Sequence, residues 1–363
     1  MALMFIFYCL YVACATAVES PGNCFGAVCT PNPDERSDAI SIAGILRSIG
    51  QSGGMVVLIV VGAVMKAVMG RDGFRIAEGK GIDLQISTVV CVVGLVLFML
   101  IMLKNTKERV PYTTEKVNLW QSFRFVFSNK NLLMVSLAKV CGFGRGVYGA
   151  VSLYIAIYLL GDKGLKLALL LPMGIGTAVS MLVVKKLIKS IGTRKTFIGC
   201  SLYGAAALML LFCVSMVIGF RKELIIPFLI INFLVGLQHG NTNLTPNVMI
   251  ADCVDEIEYK TGKRQEGLCY AGYGLFSKIA SAFTSSLGAF LVFTWSGYIK
   301  STTDAAYAAQ DDKTLIRFLI IYTIIPACFV VLQIVPILFY DLNKKKKEEI
   351  SEALIERLGI IEE

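Results

Sequence analysis

Five ionisable side chains stand inside long apolar stretches: Glu19, Arg47, Lys139, Arg145 and Lys278. A charge in hydrocarbon is costly unless it meets a cavity, an opposite charge or water, so these are the first places to look for a solute or ion site. Glu19 follows an apolar run and precedes Pro21 and Gly22. Proline and glycine there break a helix and free backbone groups, which a membrane tolerates only beside protein or a water-filled cavity. A carboxylate at such a break can bind a solute or a cation. The competing reading is that Glu19 only marks the end of a span. Lys278 lies between Phe276 and Ile279–Ala280, well inside its span, and needs an anion, a carbonyl or water. It belongs either to a solute site or to a structural ion pair, and Arg47 poses the same choice. Lys139 and Arg145 are six residues apart, which on a regular helix points them to different faces. Lys139 therefore reads as structural. Arg145 sits in GFGRGVYG, whose glycines allow close helix approach.

The stretch 224–250 adds uncharged polar groups: Asn232, Gln238, His239, Asn241, Thr242, Asn243, Thr245 and Asn247. So polar a half-span faces a cavity or other helices, not lipid, with Asn241, Asn243 and the nearby Tyr273 as candidate cavity lining. His239, the single histidine, is either a proton carrier or one end of an interhelical hydrogen bond. One histidine excludes zinc sites built on several. The eleven cysteines fall mostly in apolar blocks, and the spacing of Cys24 and Cys29 is a weak metal signal. No Walker A, zincin or nucleophile-elbow pattern occurs, and GFGRG lies in an apolar block rather than after a strand. The chain is expected not to be an enzyme and to carry no metal or organic cofactor.

The elements that must position these groups are membrane helices. Of 363 residues, 56% are hydrophobic and 17% charged, where a soluble domain carries roughly a quarter; mean hydropathy is +0.69. Nine blocks reach the roughly 17–25 residues that cross a bilayer, at about 2–18, 40–69, 84–103, 131–160, 164–184, 195–219, 224–250, 267–297 and 314–340. An all-α polytopic membrane protein is expected. The net charge of +9 lies largely in the connections, where it sets topology rather than attracting nucleic acid. Segments 30–38, 104–130, 185–195, 252–266 and 342–347 hold 19 Lys and Arg; the opposite set holds 9. The bias places the first set and the C-terminus in the cytoplasm. Residues 104–130 form the longest polar connection, with an amphipathic surface helix expected from Val117 to Phe127. This divides the chain into 1–103, the linker 104–130, a six-span unit 131–341 and a tail 342–363. In that tail, Ile350, Leu354, Ile355 and Leu358 are spaced for one helix face. The first block ends like a signal peptide but lacks a positive n-region.

Residues 249–283, MIADCVDEIEYKTGKRQEGLCYAGYGLFSKIASAF, carry a specific resemblance. Ala251-Asp252, Val254-Asp255, Glu258-Tyr259-Lys260, Thr261-Gly262, Arg264, Glu266-Gly267, Lys278 and Gly297-Tyr298 resemble the region of the tenth and eleventh spans of the glycoside–pentoside–hexuronide:cation symporters. These are the melibiose-permease-like branch of the major facilitator superfamily. GRGVYGAVSLYIAIYLLGD resembles that family's seventh span, KKLIKSIGTRKTF its motif between spans eight and nine, and ESPGNCFGAVCTPNPDERSD the end of its fourth. The resemblance implies that the nine blocks correspond to spans four to twelve, with the first three spans and the cation-binding acidic pair of the second lacking. It places Glu19 at the fourth-span carboxylate (Glu for Asp) and Lys278 at the eleventh-span lysine. Asn23 falls where an aromatic stacks on sugar, and Arg47 lies a few residues beyond the fifth-span arginine. Arg36, Asp252, Asp255 and Arg264 become charges that close the inner face.

The expectation is thus sugar or glycoside:cation symport by alternating access, with Na+ or H+ as coupling ion. A monomer in the plasma membrane is expected, whose partners are a small sugar, a monovalent cation and the lipid bilayer. The alternative is a non-transporting truncated protein or assembly subunit.

Overall fold

The computed structural model describes scattered residues of 1–67, then residues 82–105, 119–160, 165–219, 222–299 and 310–358. All regular structure among these residues is helical. A short apolar helix, α1 (Ile6–Ala15), lies in the first expected span. Then follow α2 (Ile82–Asn105), α3 (Leu119–Ser128), α4 (Lys130–Cys141), a 3-10 turn (Phe143–Gly146) and α5 (Tyr148–Tyr154). The long helices α6 (Leu165–Ile191), α7 (Thr193–Ile218), α8 (Ile225–Thr261) and α9 (Glu266–Phe290) come next. The chain closes with α10 (Asp312–Tyr322), α11 (Ile324–Leu332), α12 (Ile334–Ile337) and α13 (Lys344–Leu358).

Six helical segments among the described residues are long and apolar enough to span a membrane, and the bent pair α4–α5 makes a seventh. These seven coincide with the seven expected spans from residue 84 onward. Of the two earlier expected spans, the first is described as the short helix α1, and most of the second lies outside the described residues. The protein is a multi-pass, all-α membrane protein. Its surface agrees with that solvent: Phe98 on α2 is 75% exposed and Val217 on α7 is 86% exposed, which lipid accommodates and water would not.

Two features depart from the sequence reading. Span 131–160 is not one regular helix: Lys130–Cys141 and Phe143–Leu159 meet at 43°. Span 224–250 continues as helix to Thr261, 37 residues in all. At 1.5 Å per residue that is about 55 Å, far beyond a hydrocarbon core of about 30 Å. Hydropathy ends near residue 250, but nothing there ends the helix. The stop comes at Gly262, whose φ of +69° is left-handed and whose N–H caps Glu258 O at 2.8 Å.

Close backbone approach welds α6 to α8. Gly236 and Gly240 of α8 form a G-x-x-x-G face against Gly176 of α6. A Cβ on Gly236 would fall 2.3 Å from the carbonyl oxygen of Met173. Ser180 Oγ donates to Leu237 O across the same seam. In the N-terminal part, helical Gly44 faces Met181 of α6, with Sδ 3.2 Å from where its Cβ would be.

Candidate functional site

The break between α4 and α5 is built into the sequence. Glycines 142, 144 and 146 weaken the helix there, and the ring of Phe329 fills the space a Cβ on Gly144 would need. The carbonyl of Phe143 accepts from Thr284 Oγ1 of α9 at 2.6 Å. Arg145 stands on this turn. It lines two narrow clefts at once. One is formed with Tyr148, Met173, Leu208, Asn232, Val235, Gln238, His239, Tyr322, Pro326 and Val330. The other is formed with Val135, Ala138, Lys139, Phe197, Thr242, Pro246, Gln333 and Ile337.

Lys139 and Arg145 therefore meet the same cleft, not different faces. The 3-10 winding and the bend between them change the angular step that a regular helix would impose.

The first cleft has a polar wall. Tyr322 donates from its hydroxyl to Asn232 Oδ1 at 3.0 Å, and Asn232 Nδ2 donates to Leu169 O at 3.2 Å. The Tyr148 ring meets those of His239 and Tyr322 edge-on, with centroids 6.0 and 6.2 Å away. Three donors stay unsatisfied nearby. Arg145 Nη1, Gln238 Nε2 and Asn241 Nδ2 are shut off from solvent with no hydrogen-bond partner. Buried donors are ordinarily paired, and two of these three, on Arg145 and Gln238, line the first cleft. No Asp or Glu lines either cleft among the described residues. In this conformation the walls leave room for little more than water.

At one end of the bundle lies a cluster of opposite character. Arg264, just past α8, reaches Glu258 at 2.6 Å, Asp255 at 3.4 Å and Glu266 closer still. Burial pulls its guanidinium pKa down, but the carboxylates of Asp255, Glu266 and Glu258 outweigh this and hold it above the ordinary arginine value. Asp252 pairs with Lys347 of α13, which also donates to Thr193 Oγ1 at 2.7 Å. Buried Glu256 accepts from Asn131 at 2.7 Å and Lys260 at 2.8 Å, with Lys346 at 3.5 Å. Ile350 and Leu354, 5% and 9% exposed, seat α13 against the core.

The expected site residues thus separate. Asp252, Asp255 and Arg264 lie together in the end cluster. Tyr273 of α9 is a close electrostatic neighbour of Arg145. Asn241 is fully buried, its Oδ1 taking the Thr245 hydroxyl at 2.7 Å, and Asn243 is half-buried. Lys278 stands on an exposed face of α9 and lines neither cleft. Glu19, Asn23, Arg36 and Arg47 lie outside the described residues, as do Cys24 and Cys29. Sequence reasoning missed Tyr148, Tyr322 and Gln333. Gln333, donating to Ser201 Oγ at 3.2 Å, had a signal: it is a lone amide in an apolar run. The two tyrosines had none.

The family model for MFS/sugar transport proteins matches residues 1–344. The chain belongs to the MFS/sugar transport protein family. Within it, the chain is 29% identical over 265 residues to a glucuronide carrier protein homolog of Escherichia coli (strain K12), covering 72% of this chain and 55% of that one. It is 26% identical over 275 residues to a putative sulfoquinovose importer of the same organism, covering 73% and 55%. To an isoprimeverose transporter of Lactiplantibacillus pentosus it is 23% identical over 336 residues, covering 91% and 65%. The chain thus spans little more than half the length of the first two. Family and relatives are transport proteins, not enzymes, and the resemblance drawn from residues 249–283 stands.

Proposed function

We propose that this protein moves a sugar or glycoside across the cell membrane by alternating access, in symport with Na+ or H+. The cleft around Arg145 carries this reading. It is a polar pocket among apolar spans, built on a broken helix, in a chain of the sugar-transport family. Relatives named for a glucuronide, sulfoquinovose and isoprimeverose support a sugar as cargo.

In this reading residues 1–103 and 131–341 act as two units that rock about the site, joined by the linker 104–130. Glu19 binds a sugar hydroxyl or the coupling ion, Lys278 balances its charge, and Arg47 and Asn23 complete the binding surface. Asn241, Asn243 and Tyr273 line the cavity when it opens. Arg36, Asp252, Asp255 and Arg264 close the inner face, with the C-terminus in the cytoplasm. The protein acts as a monomer.

The test is uptake of labelled glycosides into vesicles with and without an imposed Na+ or H+ gradient. Gradient-driven accumulation is expected, and Glu19→Gln should abolish it or uncouple it. Absence of accumulation across a broad sugar panel would remove symport, and wild-type kinetics in Glu19→Gln would remove that residue from the site.

A further inference from the structure

We infer that the α6–α7 turn binds the phosphate headgroup of an anionic phospholipid, whose acyl chains lie along the outer face of α6. Such a site serves the bilayer rather than the cargo, and it stands whether or not the chain moves a sugar.

Charge points to it first. Residues 185–195 carry Lys185, Lys186, Lys189, Arg194 and Lys195 within eleven positions. No Asp or Glu occurs from 163 to 222, so neither α6 nor α7 supplies an acid. Elsewhere at this end of the bundle basic groups meet carboxylates. Arg264 has three, Lys347 has Asp252, Lys260 and Lys346 share Glu256, and Lys130 has Asp341. Lys185 and Lys189 also engage other groups. Lys186 and Lys195 differ: both are exposed, and no ion pair among the described residues includes them.

Shape is the second, independent observation. Exposed Leu171, Ile175, Val179, Leu182 and Lys186 follow one another at steps of four, four, three and four, which is one face of a helix. Ile175 is 57% and Leu182 59% exposed. The rest of α6 is occupied: Gly176 abuts Phe233 O of α8, and Met181 faces Gly44. From Leu171 to Leu182 the apolar line runs about 16 Å, close to half of a hydrocarbon core of about 30 Å, and so to one leaflet. It ends at a lysine, whose stem can carry the ammonium up to headgroup level. On α7 Lys195 heads a similar exposed line through Gly199, Leu202, Ala206 and Met209. A soluble anion would use the lysines and leave the apolar lines idle. A phospholipid uses both.

The turn is also held in place. Gly192 takes a φ of +86° between the two helices. Thr193 Oγ1 accepts from Lys347 at 2.7 Å, Lys189 O accepts from Lys344 at 3.1 Å, and Arg194 donates to Leu338 O. These bonds bring the start of α13, with exposed Lys344 and Lys345, beside the turn. The acids near it are Asp341, which feels Arg194 but is bonded to Lys130, and exposed Glu348, Glu349, Glu352 and Glu356 farther along α13. Basic clusters at the ends of spans attract anionic headgroups in this way.

The test reads lipid at the site itself. Trp120→Phe and Trp295→Phe remove the two native tryptophans, and Leu182→Trp places one reporter on the α6 line. The full chain is reconstituted in vesicles of phosphatidylcholine mixed with dibrominated phosphatidylglycerol or dibrominated phosphatidylcholine, whose bromines quench a tryptophan they touch. Quenching should show phosphatidylglycerol favoured at least threefold in low salt, with the preference shrinking in 0.5 M NaCl as screening grows. Lys186→Gln with Lys195→Gln, both outside the packed core, should bring the ratio to about one. A reporter in the middle of α2, Val93→Trp, should see no preference. Equal quenching by the two lipids at Leu182→Trp would overturn the inference and leave this face to bulk lipid or to a protein. So would a preference that survives the double lysine variant, or one equally strong at Val93→Trp.

Discussion

Arg145 and Arg264 are the same side chain in opposite circumstances. Arg264 is closed around by three carboxylates from the end of α8 and the start of α9. Arg145 has a buried Nη1 with no partner, in clefts with no described acid. The first arrangement consumes the donors of the guanidinium and fastens two helices together. The second holds donors in reserve inside the bundle. In the proposed reading, the contrast separates a structural latch from a binding group.

Stability measurements can break that contrast. Arg264→Gln leaves Asp255, Glu258 and Glu266 facing one another, each side chain less than a fifth exposed. Loss of one partner of such a cluster costs about 3–5 kcal/mol, the largest effect expected here. Thermal unfolding in detergent should show a large fall in midpoint; an unchanged midpoint would mean that the cluster does not latch the helices. Gly236→Ala comes next. Its methyl would press on a backbone oxygen that cannot swing aside, for a loss of about 1–3 kcal/mol. This sharpens the comparison, because it shows the cleft walls held by backbone contact rather than by charge. Lys347→Met, which removes the link from α13 to Asp252 and Thr193, should cost about 1 kcal/mol in the same melt.

A smaller effect concerns pH. The hydrogen bond from Lys130 holds the Asp341 carboxyl below its ordinary value of 3.8. A carboxyl lowered in the native state stabilises above its unfolded pKa and stops doing so as pH falls through the native one. Stability should therefore drop slightly from about pH 4 downward, less in Lys130→Met. Because both side chains are about half exposed, solvent screens most of the gain. Least of all should change in Arg145→Gln: removing an unpartnered charge breaks no bond, so its melting midpoint should match wild type or exceed it. A fall as large as that of Arg264→Gln would show that Arg145 is structural.

Much of the fold was legible from residue order. Long apolar blocks give spans whatever their packing, and the seven from residue 84 onward appear where hydropathy puts them. The spacing of Ile350 and Leu354 likewise foretold a packed face on α13. What hydropathy could not carry was local winding. The 3-10 turn at Phe143–Gly146 leaves the block as apolar as before, so Lys139 and Arg145 were read onto separate faces. The closely spaced glycines were the available clue. The extension of α8 to Thr261 was hidden for a related reason: charged residues end a hydrophobic run, not a helix. Tyr148 and Tyr322 drew no notice because an isolated tyrosine in a span looks the same in a core as in a cleft. The end cluster was legible as a run of charges, but not its pairing, which depends on the turn at Gly262.

Tracer counterflow tests the central claim most directly. Vesicles carrying the reconstituted chain are loaded with an unlabelled glycoside and diluted into a trace of the labelled compound. A site that opens alternately to each side needs no cation gradient for this exchange. The account predicts a transient accumulation of tracer by wild type and a strongly reduced one by Arg145→Gln. Wild-type vesicles that take up no more tracer than protein-free vesicles, across a broad panel of glycosides, would contradict it.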